Sequence, residues 1–303
     1  MDDRKLWLFD SEVPGTFACF GTNRGEMNMR KSLLLAVLAI VLLVLGACGN
    51  SGDDASSSNG NGDKEVTLKI SASSIPHAEI LEFIAPDLEK EGIKIETVLT
   101  TDGIQANQQV ADKELDANFF QHEPYLEQVN RDSGLDLVSV TGTHIEPFGV
   151  YSKKIKSIDE VSDGAKVGIP KDPVNFSRAL LLLASAGLIE LDEEKTGDYL
   201  LQDITKNDKD LEFVAVESAL LVRTLDDTEI STINANYALE AEFNPLEDAL
   251  VIEGSSSPYV NILVSRPDNK DSEAIQKLAA ALTTEKVEKF IVEKYKGAVV
   301  PVF

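Results

Sequence analysis

The chain has 303 residues, 43% hydrophobic and 26% charged, so it can bury a sizeable core as one large domain or two smaller ones. Lys and Arg total 28 against 52 Asp and Glu, a net charge of -24. That excess of acid excludes nucleic-acid binding through a basic surface and adsorption to anionic head groups, while two cysteines, Cys19 and Cys48, exclude a disulfide framework or a cysteine-rich zinc site.

From Leu33 to Ala47 the chain runs LLLAVLAIVLLVLGA, an apolar stretch of 15 residues preceded by Arg30 and Lys31. Spanning a bilayer takes about 20 residues, so the stretch has the build of a secretory signal rather than a membrane helix. It ends Leu45-Gly46-Ala47-Cys48, which resembles the bacterial lipobox, whose cysteine is lipidated and becomes the first mature residue. Residues 27–47 are therefore expected to be a lipoprotein signal peptide. Residues 1–26 are mixed and unpatterned, as an upstream extension would be, with translation starting at Met27 or Met29. Residues 48–64 comprise the cysteine and a tether rich in Gly, Ser, Asn and Asp, with no apolar side chain larger than Ala55 to bury.

Beyond the tether the hydrophobic period switches repeatedly between two and about 3.6. Val66 to Ile70 alternates as a half-buried strand, and Pro76-His77 opens a helix carrying Ile80, Leu81, Ile84 and Leu88 on one face. Gly92 ends it, and Ile93 to Leu99 forms the next strand. A helix over Gln105 to Lys113, a strand from Asp116 to Phe120, a helix from Pro124 to Ser133 and a strand from Leu135 to Val140 follow. Further strands are expected at Ala165 to Ile169, Leu211 to Val216, Ile230 to Asn234 and Val260 to Val264, with a helix buried all round at Leu180 to Leu183. Strands separated by helix-length segments predict an α/β protein with parallel sheets covered on both faces. The basic segment Tyr151 to Ser157 marks a candidate crossing between two lobes.

Enzymatic motifs are missing: there is no phosphate-cradling glycine loop, no Gly-x-Ser-x-Gly elbow and no His-Glu-x-x-His pair. The three histidines, His77, His122 and His144, are far apart in sequence, and neither a metal nor a cofactor is expected. Binding chemistry is better represented. In DANFFQHEPYLEQV, from Asp116 to Val129, aromatic residues surround a strand-to-helix junction, where ligands bind in open α/β sheets. Alternation puts Phe119 and Phe120 on opposite faces, and Phe120, on the side of His122, is expected to line a cleft. In PKDPVNFSRALLLL, Asn175 and Arg178 fall in or just before the first turn of the buried helix, where a forked cation and free backbone donors suit a carboxylate. An arginine there could equally neutralise Asp172 or another acid. Asn234, Asn236 and Asn261 stand beside strand ends and offer donors and acceptors together, although such positions are also common for turn and cap residues.

SSIPHAEILE, DANFFQHEPYL, FGVYSKKIKSIDEV, GIPKDPVNFSRALLLL, INANYALEAEFNP and SSPYVNILVSR together resemble the NlpA family of methionine-binding lipoproteins, in order and over nearly all of Val66 to Phe303. The resemblance implies a periplasmic-binding-protein-like fold of type II, with two α/β lobes and two crossover strands. Residues 65–147 with 258–303 would form one lobe and residues 148–257 the other. It also implies a function without catalysis: capture of methionine, most readily the L isomer, and delivery to an ABC transporter permease. The protein would act on the extracytoplasmic face of the cell membrane, anchored through lipid on Cys48. Phe120, His122 and Tyr125 would enclose the thioether, Arg178 would hold the α-carboxylate, and Asn175, Asn234 and Asn261 would complete the polar shell. Gly103 stands where many relatives carry a tyrosine, so one pocket wall is missing or replaced, and D-methionine, a methionine-containing peptide or another amino acid could use the space. Alternatives from other classes are an envelope enzyme using His122 with Glu123 and a surface lipoprotein that binds a protein partner.

Overall fold

A computed structural model of the chain describes residues 65–254 and 257–303, so the signal segment, Cys48 and the tether lie outside the described residues. The strands, in chain order, are β1 (Val66–Ala72), β2 (Ile93–Leu99), β3 (Ala117–His122), β4 (Val138–Ile145), β5 (Gly149–Tyr151), β6 (Lys166–Pro170), β7 (Glu190–Leu191), β8 (Ile204–Lys206), β9 (Glu212–Val216), β10 (Ile230–Ile233), β11 (Val251–Ile252), β12 (Val260–Ser265) and β13 (Val300–Pro301). The helices that matter here are α1 (Glu79–Glu89), α2 (Gly103–Ala111), α3 (Glu123–Ser133) and α4 (Pro173–Ser185). Among the described residues, no helix is long and apolar enough to cross a membrane.

Two main sheets result. The first has strand order β13-β4-β12-β3-β1-β2 and the second β11-β5-β10-β6-β9, while β7 and β8 form a separate pair. Each main sheet has its own core. Ile70, Ile80, Leu81, Phe119 and Leu263 are buried together in the first, and Val150, Val167, Ile169, Leu180 and Ile230 in the second. The expected face of α1 is the buried one, with Ile80, Leu81, Ile84 and Leu88 all inside. The helix over 180–183 is not apolar-buried all round, since Leu181 is exposed while Leu180, Leu182 and Leu183 are inside.

The sheets are mixed rather than parallel. Although β1 pairs in parallel with β2 and β3, β12 runs antiparallel between β3 and β4. The reason is topological: β12 follows β11 of the other sheet and enters from the cleft side, so no helical crossover reverses its direction. The chain passes between sheets twice, at residues 146–148 and again between β11 and β12. The first passage precedes the basic segment expected to mark it, because β5 ends at Tyr151 within the second sheet. Strand β4 also begins later than its apolar pattern suggests. The Asn130 side chain bonds both the backbone N–H and the C=O of Leu137, holding that residue to the end of α3.

Local sequence fixes the helices that face the cleft. Asp102 accepts a hydrogen bond from the Gln105 N–H and so starts α2 at Gly103, two residues earlier than expected. His122 caps α3, Pro124 occupies its first turn, and Gly134 ends it in the left-handed conformation at φ 67°. Asp172 caps α4, accepting from the Asn175 N–H at 2.9 Å.

Candidate functional site

A cleft of about 930 Å3 opens between the ends of the two sheets, and Phe120, His122, Tyr125, Asn175, Arg178, Asn234 and Asn261 all line it. Phe119 points the other way and is fully buried in the first core, as strand alternation requires. The first lobe contributes Phe120 and His122 from β3, Tyr125 from α3 and Asn261 from β12; the second contributes Asn175 and Arg178 from α4 and Asn234 from the end of β10.

A chain of amides connects the lobes. His122 Nδ1 accepts from the Tyr125 N–H at 3.2 Å, which leaves the hydrogen on Nε2 to be donated to Asn175 Oδ1 at 3.1 Å. Asn175 Oδ1 also accepts from Asn234 Nδ2 at 3.2 Å, and Asn175 Nδ2 donates to Asp172 Oδ1 at 2.9 Å. Burial, with the nearby Arg178 charge, pushes the His122 pKa down to about 3, so its ring is neutral at physiological pH. Burial pushes the Asp172 carboxyl up, against the hydrogen bonds from Asn175 and Ser218. Asn234 Oδ1 is a buried acceptor without a hydrogen-bond partner among the described residues, facing a cleft that could supply one.

Arg178 is only 3% exposed and is held by both passages between the sheets. Its Nη2 donates to the Glu146 carbonyl at 3.0 Å and to the Glu253 carboxylate, and its Nε donates to Glu253 Oε1 at 3.1 Å. The Tyr259 and Phe148 rings lie 4.1 and 5.0 Å from its guanidinium carbon. Nη1 makes no hydrogen bond to the described residues, so one edge of the fork stays available to an anion in the cleft. The neutralising acid is thus Glu253, and Asp172 is committed to capping α4.

The aromatic wall is built from Phe120, His122 and Tyr125, whose rings meet edge to face at 6.2–6.4 Å. Tyr259 packs behind this wall, 5.0 Å from His122 and over the Arg178 guanidinium. Gly103 leaves no vacant space here. A Cβ at this position would lie 2.7 Å from Tyr125 Oη and 2.8 Å from Phe120 Cε2, so this chain's own aromatic side chains fill the volume that a residue 103 side chain would need. Glu123, proposed as an acid-base partner of His122, is exposed at the start of α3, and the histidine's ring nitrogens are engaged by Tyr125 and Asn175 instead.

Sequence reasoning missed Glu146, Glu253 and Tyr259, which lie in the passages between the sheets. The only signal was positional: each sits in a short irregular segment flanked by apolar strands, where an acid or a phenol is out of keeping with its neighbours.

The NlpA lipoprotein family model matches residues 68–303. The methionine-binding lipoprotein MetQ of Bacillus subtilis is 39% identical over 90% of this chain and 99% of its own. The D-methionine-binding lipoprotein MetQ of Escherichia coli K12 is 40% identical over 74% of this chain and 82% of its own. Among solved structures, a nutrient-binding protein from Burkholderia cenocepacia bound to methionine is 38% identical with a TM-score of 0.75, covering 78% of this chain and all of that one.

Proposed function

Because the chain belongs to the NlpA lipoprotein family, we propose that it captures methionine outside the cytoplasm and delivers it to an ABC importer. The observation that carries this reading is one cleft presenting a buried guanidinium with a free Nη1 edge, a partnerless buried amide oxygen and an aromatic wall. Arg178 Nη1 takes the α-carboxylate and Asn234 Oδ1 accepts from the ammonium group. Both ends of a zwitterion need such partners, since burial without them costs several kcal/mol. Asn175 and Asn261 complete the polar shell. Phe120, His122 and Tyr125 enclose the thioether, which gains about 0.3–1.5 kcal/mol from ring contacts beyond the area it buries. Lobe closure over the ligand distinguishes the loaded form for the permease, with residues 146–148, 253–254 and 257–259 among the bending segments.

The test is to unfold the purified protein gently, identify any released small molecule by mass spectrometry, and titrate both methionine isomers back by calorimetry. Stoichiometric methionine is expected. Release of nothing, together with no heat from any amino acid in a panel, would defeat the reading.

Gly103 makes this pocket sensitive to a single methyl group. Gly103→Ala is expected to push Tyr125 and Phe120 into the ligand's space and weaken methionine binding. The melting temperature should hold, because the crowded atoms are the movable ends of side chains. Calorimetry beside a thermal melt reads both effects, and unchanged affinity would remove Gly103 from the wall.

In the same reading the protein is held to the membrane by lipid on Cys48, which ends the sequence LGAC after the apolar signal. Cys48→Ser should move the protein from the membrane to the soluble fraction. A variant that still sediments with membranes would exclude that anchor.

A further inference from the structure

Behind the floor of the cleft, the fold brings together two histidines and an acid that binding of an amino acid does not require. His77 sits in the turn between β1 and α1, His144 near the end of β4, and Glu146 in the first passage between the sheets. His77 and His144 are fully buried and Glu146 is 6% exposed. Glu146 Oε1 lies 2.9 Å from His144 Nε2 and 3.3 Å from His77 Nε2.

The hydrogens decide what these atoms can do. Thr143 has one hydroxyl hydrogen, and it goes to the Asn261 carbonyl at 3.0 Å, an oxygen that can only accept. Thr143 Oγ1 must then accept from His144 Nδ1 at 2.8 Å, which puts the ring hydrogen on Nδ1 and leaves Nε2 as a bare lone pair. His77 differs: Ser73 Oγ lies 2.6 Å from its Nδ1, while its Nε2 lies 3.0 Å from Asn261 Oδ1, an oxygen that can only accept, so this ring carries its hydrogen on Nε2 and must release it to take an ion. The His144 lone pair therefore faces a carboxylate oxygen 2.9 Å away, a contact that needs a positive charge between the two atoms, a proton or a metal ion.

We propose that His77, His144 and Glu146 form a binding site for a divalent transition metal of the zinc class. Ligand atoms about 2.0–2.1 Å from a tetrahedral zinc lie roughly 3.3 Å apart, close to the two separations from Glu146, and all three ligand atoms lie within 4.8 Å of one another. Two nitrogens and one carboxylate oxygen favour zinc or cobalt over calcium or magnesium. Each ligand is also oriented from behind, His77 by Ser73, His144 by Thr143, and Glu146 through Oε2, which accepts from the Asn236 N–H at 3.1 Å. Asn261 Oδ1, 3.0 Å from His77 Nε2, offers a fourth donor, and Glu146 lines the cleft through which an ion would arrive.

The experiment is to strip the full chain with a chelator and titrate it with Co2+, following visible absorption, and then to displace the cobalt with Zn2+. A single equivalent with a tetrahedral cobalt band is expected, lost in His144→Gln. Thr143→Val keeps every ligand but removes the Nδ1–H acceptor, and should weaken uptake about ten- to hundredfold. If His144→Gln does not fold, the wild-type band and Thr143→Val still decide the matter. Absence of a band in the wild-type protein overturns the proposal and assigns a shared proton to the cluster. A band unchanged in His144→Gln or in Thr143→Val also overturns it, and places the metal on surface acids.

Discussion

Arg178→Ala is expected to weaken methionine binding by about 2–5 kcal/mol, thirtyfold or more, the usual result of truncating one partner of a buried, hydrogen-bonded charge pair. The same substitution should lower stability, because Arg178 is also a structural link. It bonds the Glu146 carbonyl of one passage between the sheets and the Glu253 carboxylate of the other. Removing it strands a carbonyl and a carboxylate in a site that is 80% shielded at Glu253. The two effects can be separated. Arg178→Ala with Glu253→Gln relieves the unpaired acid and should recover part of the melting temperature while recovering no affinity. Arg178→Lys retains the charge but replaces a planar fork with one ammonium, which cannot serve Glu253, the Glu146 carbonyl and a ligand at once, so its affinity should also fall. If calorimetry finds the affinity of Arg178→Ala unchanged, the carboxylate lies elsewhere in the cleft.

The parts of this site legible in the sequence are those whose local element determines their direction. Phe120 could be separated from Phe119 because a strand alternates its faces, and Asn175 and Arg178 could be placed because an Asp-Pro pair starts a helix just before them. Gly103 was legible as a departure but not in its consequence. That depended on Tyr125 and Phe120 approaching from another strand and helix, which no spacing within residues 100–107 encodes. Glu146 and Glu253 were illegible for a different reason: they lie in irregular segments without a period, among 52 acids of which most face solvent. The direction of β12 was equally hidden, since an apolar run reads the same whether its partner is parallel or antiparallel.

Acidification is expected to destabilise the protein more than its surface charge would suggest. His77, His122 and His144 have pKa values pushed by burial from 6.5 to about 4, about 3 and about 3. A base whose folded pKa lies below its unfolded value contributes stability that is complete above pH 6.5 and drains away as the pH falls toward the folded value. At pH 5 each histidine is mostly protonated in the unfolded chain and neutral in the folded one, a loss of about 2 kcal/mol apiece and about 6 kcal/mol for the three. Glu146 acts in the opposite direction. Burial raises its pKa, so the folded state takes up a proton first on acidification and recovers part of the loss. Neutralising the surface should also help a chain of net charge -24, and high salt removes that contribution, since at 1 M the screening length is about 3 Å. Melting temperatures measured in high salt should therefore fall steeply from pH 6.5 to 5. His122→Asn should flatten the profile by about one proton, because asparagine can still cap α3 and has no charge to gain. A melting temperature that stays level or rises over that interval would mean that the histidines are reached by water in the folded state, and the closed polar floor of the cleft would have to be given up.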